Sequence, residues 1–243
     1  MIETVTIVEI NGRSEQGVIR PFRCRGEDKK WYWVKGSMAG KRALCCEWLA
    51  GRLAQIIGLP IPEFRQVYVP REIIDFSLIA DITELGYGIA FGSEDIGQVQ
   101  EFVFNDKEKI SETLRMQILL FDWWVQNTDR TLGARGGNPN LLWEVKTAKP
   151  WIIDHNMAFT TPFSVREFID SHVFGSDSNL IALQNDLDIK TLMRDTISRV
   201  QELFEELPED WVFLDHDHSL PVDISAEFVV QILNRIDKTL KTN

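Results

Sequence analysis

The spacing of apolar residues constrains the fold of this 243-residue chain more than any other feature, because it differs between the two parts of the chain. In the first part, residues 3–10 and 17–24 alternate apolar and polar side chains, with a turn at Asn11–Ser14 between them. Trp31–Lys35 and residues 65–69 are further strand-like segments. Alternation of this kind is typical of strands with one buried face.

Helical spacing dominates the second part of the chain. Apolar residues recur every three or four positions over residues 109–126, 165–172, 189–206 and 225–240, whereas one earlier helix is predicted over 44–57. Residues 70–98 fit neither pattern. Strands grouped before helices predict an α+β fold with two lobes, not alternating βαβ units. We place a strand-rich N-lobe at residues 1–100 and a helical C-lobe at residues 101–243.

Charge and composition narrow the functional classes. The formal net charge of -11 repels nucleic acid over most of the surface, so direct nucleic-acid binding is not expected. No stretch of 18 apolar residues is present, and the start of the chain lacks the features of a signal peptide. Three cysteines, two of them adjacent, make a poor disulfide framework and fit reduced thiols. These features predict a cytoplasmic protein with no membrane span.

Three polar residues follow apolar segments in an order that suggests phosphoryl transfer. Asp129 follows the predicted helix 109–126, Asn140 precedes a predicted short hairpin, and Asp154 follows it. Each has a simpler explanation, since Asp129 could cap a helix, Asn140 could occupy a turn and Asp154 could be a buried polar residue. Kinases, however, require an Asp for the acceptor hydroxyl and an Asn and a second Asp for the metal ions. The three residues in that order favour the kinase interpretation.

A lysine and a glutamate in the first part extend this interpretation. Lys35 ends an apolar strand and could be a solvated edge charge, while Glu47 could lie on the surface of the following helix. In kinases a strand lysine reaches the α- and β-phosphates and is fixed by a carboxylate from the next helix. The turn from Asn11 to Gly17 could be a plain hairpin turn, or its backbone amides could cradle phosphate.

With these residues, the chain resembles the short HipA-like kinases, relatives of the HipA serine/threonine kinases. More distantly it is similar to the type II phosphatidylinositol 4-kinases. The resemblance covers most of the chain. The motifs that carry it are Tyr32-Trp33-Val34-Lys35, Glu47-Trp48-Leu49-Ala50-Gly51-Arg52-Leu53-Ala54, Gly58-Leu59-Pro60-Ile61-Pro62-Glu63, Asn127-Thr128-Asp129-Arg130-Thr131, Asn138-Pro139-Asn140-Leu141-Leu142, Ile153-Asp154-His155, Ser171-His172-Val173-Phe174 and Leu207-Pro208-Glu209-Asp210-Trp211.

The resemblance implies a protein-kinase-like fold with ATP between two lobes and Mg²⁺ as the metal. It implies that Lys35 holds the α- and β-phosphates, that Glu47 braces Lys35, and that Asp129 is the catalytic base. It also implies that Asn140 and Asp154 bind the metal.

The family's phosphate loop corresponds to Ser14, Gln16 and Gly17, and the resemblance suggests autophosphorylation of Ser14. Two departures from the family pattern bear on function. The segment between Asp129 and the asparagine is long, so Asn138 competes with Asn140 as the metal ligand. The chain also lacks the extra N-terminal region of the full-length toxins, which suggests a kinase core with a separate regulatory partner.

The resulting hypothesis is an ATP- and Mg²⁺-dependent kinase that acts on a protein serine or threonine. One alternative is a nucleotide-binding pseudokinase or partner-binding module. Another is a kinase for a lipid or a small molecule, although the acidic surface disfavours docking on anionic membranes. The identity of the acceptor is not encoded in any motif of the sequence.

Overall fold

The computed structural model describes residues 3–15, 19–133, 136–175 and 187–237. Tertiary contacts divide the chain into two compact units. The first unit comprises Met1–Trp48, Pro62–Gly97 and Glu206–Ile224, and the second comprises Leu49–Ile61, Gln98–Glu205 and Ser225–Asn243. The strand-rich first part and helical second part that the sequence predicts are both confirmed.

The helices and strands are named here with their bounds. In chain order they are β1 (Val5–Arg13), β2 (Phe22–Gly26), β3 (Trp31–Lys35), α1 (Lys41–Ile56), β4 (Phe64–Val69), α2 (Arg71–Asp75), β5 (Gly88–Glu94), β6 (Val99–Glu101), α3 (Glu112–Trp124), β7 (Leu141–Glu144), β8 (Lys149–Ile152), α4 (Val165–Ser171), α5 (Leu187–Ile197), α6 (Val200–Glu205), α7 (Glu209–Val212) and α8 (Ala226–Leu233). Short 3₁₀ segments cover Ser37–Ala39, Ile82–Glu84, Phe104–Lys109 and Asn234–Asp237.

The strands of the first unit close into a five-stranded barrel in the order β1-β2-β3-β5-β4. Closure comes from a short parallel pairing of β1 with β4, whereas the other neighbours are antiparallel. Alternate residues of each strand point inward, so the apolar positions of the sequence pattern meet in one core. That core includes Ile7, Phe22, Val34 and Val67, each no more than 1% exposed.

The predicted turn at Asn11–Ser14 is wrong in its position. Asn11, Gly12 and Arg13 remain in β1, where Gly12 pairs with Arg23 and Arg13 with Phe22. Two register shifts along β1 absorb the irregular side-chain pattern, as β-bulges do. The second strand therefore begins at Phe22 and not near residue 17.

The first predicted helix is confirmed as α1, and Gly58 ends it with a left-handed φ of +80°. Within residues 70–98, which the sequence pattern leaves unassigned, the structure has α2, a 3₁₀ turn and β5. All three cysteines of the chain are free and buried. Burial raises the pKa of each thiol to about 12, so the cysteines stay protonated at neutral pH.

The long helix of the second unit is α3, which begins three residues later than predicted because Ser111 caps it. Ser111 Oγ accepts a bond from the Leu114 amide, while Lys109 belongs to the preceding 3₁₀ segment. Its buried face carries Ile118, Phe121 and Trp124, as the spacing predicts.

The predicted hairpin is present as β7 and β8, and β6 extends it to a three-stranded sheet. The helix predicted over 189–206 is instead two helices, because Ser198 Oγ bonds the Asp195 carbonyl and competes with the helical pattern. The helix predicted over 225–240 is present as α8 up to Leu233, and a 3₁₀ segment follows from Asn234 to Asp237, while residues 238–240 lie outside the described residues. No helix in the described ranges combines the length and the apolar composition needed to cross a bilayer.

Candidate active site

The β7–β8 hairpin brings two of the sequence-predicted residues together. Leu141 pairs with Ile152, so Asn140 precedes one strand and Asp154 follows the other at the same open end of the hairpin. The Ile153 amide donates to the Asn140 carbonyl over 3.0 Å and extends the ladder by one step. Residues that lie 14 positions apart in sequence thus become neighbours for a local reason, since antiparallel pairing joins the start and the end of a hairpin.

Asp129 lies beside both competing asparagines. Asn138 Nδ2 is 2.7 Å and Asn140 Nδ2 is 3.1 Å from the same oxygen, Asp129 Oδ2. Asn140 is buried at 6% exposure, whereas Asn138 is exposed. Two amide donors hold one carboxylate oxygen and fix the orientation of the Asp129 side chain, which is half-buried.

The electrostatics of this cluster indicate a concentration of negative charge. Burial raises the pKa of Asp129 above its ordinary value, and the nearby Asp154 carboxylate raises it further. The amide bonds from Asn140 and Asn138 act in the opposite direction without cancelling the rise. Because like charges disfavour the ionised form, a cation between these groups would relieve the repulsion.

The residues at this end of the hairpin fit a hard divalent cation. Asn140 uses its Nδ2 as a donor to Asp129, so its Oδ1 is the atom left for a ligand. Carboxylate and amide oxygens suit Mg²⁺, which is commonly held by one or two carboxylates together with substrate phosphates and water. Within the described part of the chain, no group of three or more His, Cys, Asp or Glu side chains is placed to hold a metal. Two oxygen donors of this kind, one amide and one carboxylate, would suit a metal that also binds phosphates and water.

Lys35 and Glu47 form an ion pair inside the first unit, between Lys35 Nζ and Glu47 Oε1. Lys35 ends β3 and Glu47 lies in the second turn of α1. Their exposures are 9% and 2%, so neither is the surface charge that its sequence context would suggest by default. A buried cation fixed by a helix carboxylate matches the arrangement that kinases use for the nucleotide phosphates.

Gly36, directly after Lys35, allows a close backbone approach that sets the end of β3. The Ser37 amide donates to the Leu85 carbonyl over 2.8 Å, and a Cβ on Gly36 would lie 2.0 Å from that carbonyl oxygen. No side chain other than hydrogen fits there without moving the backbone. Close packing against the Leu85 backbone therefore explains why position 36 is a glycine.

The predicted phosphate loop is only partly described. Ser14 lies in the connection between β1 and β2, where its amide donates to the Pro21 carbonyl and its own carbonyl accepts from Arg20 Nε. Gln16 and Gly17, the other two predicted phosphate-binding residues, lie outside the described residues.

Sequence reasoning missed a buried polar network behind the site. Asp122 and Arg130 are completely buried and form an ion pair, with Nε of Arg130 2.6 Å from Asp122 Oδ2. His172 and Asn127 also bond the Asp122 carboxylate. The signal was available, since Asp122 interrupts the apolar run from Ile118 to Trp124, and a charged residue on the buried face of a helix needs a partner.

The HipA-like kinase family matches residues 7–240 of this chain. The chain belongs to the HipA-like kinase family. The match covers the Lys35–Glu47 pair and the Asp129, Asn140 and Asp154 cluster. A comparison with curated protein sequences found no match.

Two solved kinase structures are similar to this HipA-like kinase. The Helicobacter pylori proinflammatory kinase CtkA is 13% identical, with 98% of this chain and 95% of that chain covered and a TM-score of 0.53. The Golgi casein kinase is 11% identical, with 98% of this chain and 71% of that chain covered and a TM-score of 0.44. At such identities the similarity to CtkA concerns the fold alone.

Proposed function

We propose that this member of the HipA-like kinase family transfers the γ-phosphate of ATP to the hydroxyl of a protein serine or threonine, with Mg²⁺ as the metal. The observation that carries the proposal is the cluster at the end of the β7–β8 hairpin. There both Asn138 and Asn140 orient Asp129, and the nearby Asp154 carboxylate raises the pKa of Asp129. Family membership supports the kinase class, and the cluster supports an intact catalytic centre.

Each residue has a separate role in the proposed reaction. Lys35, braced by Glu47, would pair with the α- and β-phosphates. Asp129 would orient the acceptor hydroxyl and take its proton as the oxygen bonds to the γ-phosphorus and the bond to the ADP oxygen breaks. A bound Mg²⁺ would neutralise charge that develops on the phosphates.

Asn140 and Asp154 would hold that metal, and the structure supports Asn140 over Asn138 for this role. Asn140 is buried and directly precedes β7, whose partner strand leads to Asp154. Asn138 is exposed and lies two residues before Asn140, and its Nδ2 is closer to Asp129 Oδ2, at 2.7 Å, than that of Asn140, at 3.1 Å. An orienting role for Asn138 is therefore the simpler assignment.

The Asp129→Asn variant tests the proposal. The amide cannot accept the hydroxyl proton, so phosphoryl transfer should fall by roughly 10²- to 10⁴-fold, the usual contribution of a positioned general base. The measurement is transfer of radiolabelled phosphate from ATP to whole-cell lysate, followed by identification of the labelled species. Asp154→Ala should also lose transfer, whereas the exposed Asp217→Asn is the matched control and should keep it.

The same assay separates the alternatives. Label on serine or threonine of a protein supports the proposal, whereas label in the lipid or small-molecule fraction supports the other kinase class. Binding of ATP with Mg²⁺ and no release or transfer of phosphate supports a pseudokinase. Transfer by Asp129→Asn at the parent rate would show that the role given to Asp129 is wrong.

A further inference from the structure

Arg130, the residue after the candidate base, is a completely buried cation that connects two parts of the second unit. On one side, Nε and Nη2 bond the Asp122 carboxylate over 2.6 and 3.4 Å. On the other side, Nη1 donates to the main-chain carbonyl of Asn140 and, over 3.2 Å, to that of Ile153. The guanidinium therefore joins a side chain of α3 to the backbone of both segments that carry the candidate metal ligands.

Those two segments need support from their surroundings, because both candidate ligands adopt left-handed backbone conformations. The φ of Asn140 is +47° and the φ of Asp154 is +59°. Residues with a side chain adopt this region uncommonly, although Asn and Asp do so more often than most, and such conformations persist where the surrounding structure fixes them. The Asn140 carbonyl receives both Arg130 Nη1 and the Ile153 amide, which fixes the two segments to each other.

Asp122 is in turn fixed from three directions. Besides Arg130, Asn127 Nδ2 donates to Asp122 Oδ1 over 2.9 Å, and His172 Nε2 lies 3.0 Å from Oδ2. The Phe174 amide donates to His172 Nδ1 over 3.1 Å. Because Nδ1 accepts, the neutral ring carries its proton on Nε2 and donates it to Asp122.

The network also reaches the candidate base through the backbone. Asn127 Oδ1 accepts from the Asp129 amide over 3.4 Å, while its Nδ2 bonds Asp122. A single residue, Asn127, therefore connects Asp122 to the backbone of Asp129 by hydrogen bonds. Likewise, Arg130 alone connects Asp122 to both segments that carry the candidate metal ligands.

We propose that Arg130, held by Asp122, is a positioning residue that sets the geometry of the Asn140 and Asp154 pair before a divalent cation chelated by a nucleotide binds. The proposal rests on the proposed function, because it takes these two side chains as the metal ligands. Arginine suits this role because its planar fork can bond a carboxylate and backbone carbonyls at once, whereas lysine offers a single ammonium.

The test is a calorimetric titration of ADP in the absence and in the presence of Mn²⁺. The ratio of the two affinities measures what the metal site contributes, independently of the phosphate contact of Lys35. Arg130→Lys should bind ADP alone with the affinity of the parent. The gain in ADP affinity on addition of Mn²⁺ should be at least tenfold smaller for this variant than for the parent. Lys35→Met should weaken ADP binding under both conditions and keep the gain.

A purely structural role for Arg130 predicts a different result. Val229→Ala opens a cavity at a completely buried position of α8 and serves as a control for lost stability in the same unit. That variant should keep the Mn²⁺-dependent gain. If Arg130→Lys also keeps the gain within a factor of two, the proposal is wrong. If the parent binds no ADP under either condition, the proposed function itself fails.

A measurement on the parent keeps the proposal testable even if Arg130→Lys does not fold. Hydrogen exchange of the peptide that contains Ile153 reports on the bond from its amide to Asn140. A pre-formed pair predicts strong protection without metal and little change with Mn²⁺ and ADP. Protection that arises only when Mn²⁺ and ADP are added would overturn the proposal.

Discussion

At the scale of single residues, the chemistry depends on polar side chains whose burial cannot be read from their neighbours in sequence. Lys35 ends a strand and Glu47 lies on a helix, and each alone has an ordinary surface explanation. The structure buries both and pairs them. Once both charges are away from water, removal of either one is expected to cost far more than at a surface pair.

The Glu47→Ala variant should therefore destabilise the first unit. It removes the carboxylate that faces the buried Lys35 ammonium, and breaking a buried pair from one side typically costs about 3–5 kcal/mol. The measurement is urea unfolding of the variant against the parent. Glu72→Ala, at an exposed residue of α2, is the control and should stay within about 0.5 kcal/mol. Equal stability of Glu47→Ala and the parent would contradict the importance of the pair.

At the scale of elements, the hairpin and the loop before it decide how the candidate site is assembled. The hairpin is predicted by two short apolar segments, Leu141–Val145 and Trp151–Ile153, and its pairing places Asn140 and Asp154 at one end. The loop that contains Asn138 folds back on itself instead, with the Thr131 amide donating to the Asn138 carbonyl over 2.9 Å. Gly137, next to Asn138, lies close to the backbone of Thr131 and Leu132.

The Gly137→Ala variant should displace the loop and lower activity. A Cβ at this position would lie 2.5 Å from the Thr131 carbonyl oxygen and 2.8 Å from Leu132 Cα, and both are backbone atoms that cannot rotate away. We expect a loss of phosphoryl transfer of about tenfold or more, because small displacements at a site cost rate steeply. Gly133→Ala in the same loop is the matched control, since the nearest atom to its Cβ would be 3.9 Å away. Equal rates for the two variants would refute this account.

At the scale of the whole molecule, the buried network of the second unit couples folding to pH. Burial lowers the pKa of His172 below its ordinary value, although the Asp122 carboxylate acts in the opposite direction and Arg130 and Lys107 add to the lowering. For Asp122, burial alone would raise the pKa, but Arg130 and His172 hold it far below its ordinary range. In the folded protein, His172 therefore stays neutral and Asp122 stays ionised at pH values at which the unfolded chain would bind a proton at each group.

The free energy of unfolding should fall as the pH drops below about 6.5, because the unfolded chain protonates His172 there and the folded chain does not. The slope from this residue approaches about 1.4 kcal/mol per pH unit, and Asp122 adds a further loss below about pH 4. The measurement is urea unfolding of the parent and of His172→Gln between pH 8 and pH 5. The variant should have the shallower slope, and equal slopes would show that His172 is not the group responsible.

Most of the fold could be predicted from the sequence, because it follows from local periodicity and from residues with special backbone behaviour. Short apolar segments predicted β3 and the β7–β8 hairpin, and helical spacing predicted α1 and α3. Gly58, which adopts a left-handed backbone conformation, ends α1. The prediction of a turn at Asn11–Ser14 was wrong because bulges in β1 interrupt the alternation of apolar and polar residues while the strand continues. The division of the lobes near residue 100 stays a prediction.

The sequence by itself determined the family and the candidate residues Lys35, Glu47, Asp129, Asn140 and Asp154, because residue type, order and position after apolar segments are local properties. Only the tertiary structure decided which of these residues lie close together and which hydrogen bonds and ion pairs fix each side chain. Contacts such as those from Arg130 to Asp122 and to the backbone at Asn140 join distant parts of the chain. No local pattern encodes such contacts, since they depend on which faces of the folded elements become buried together.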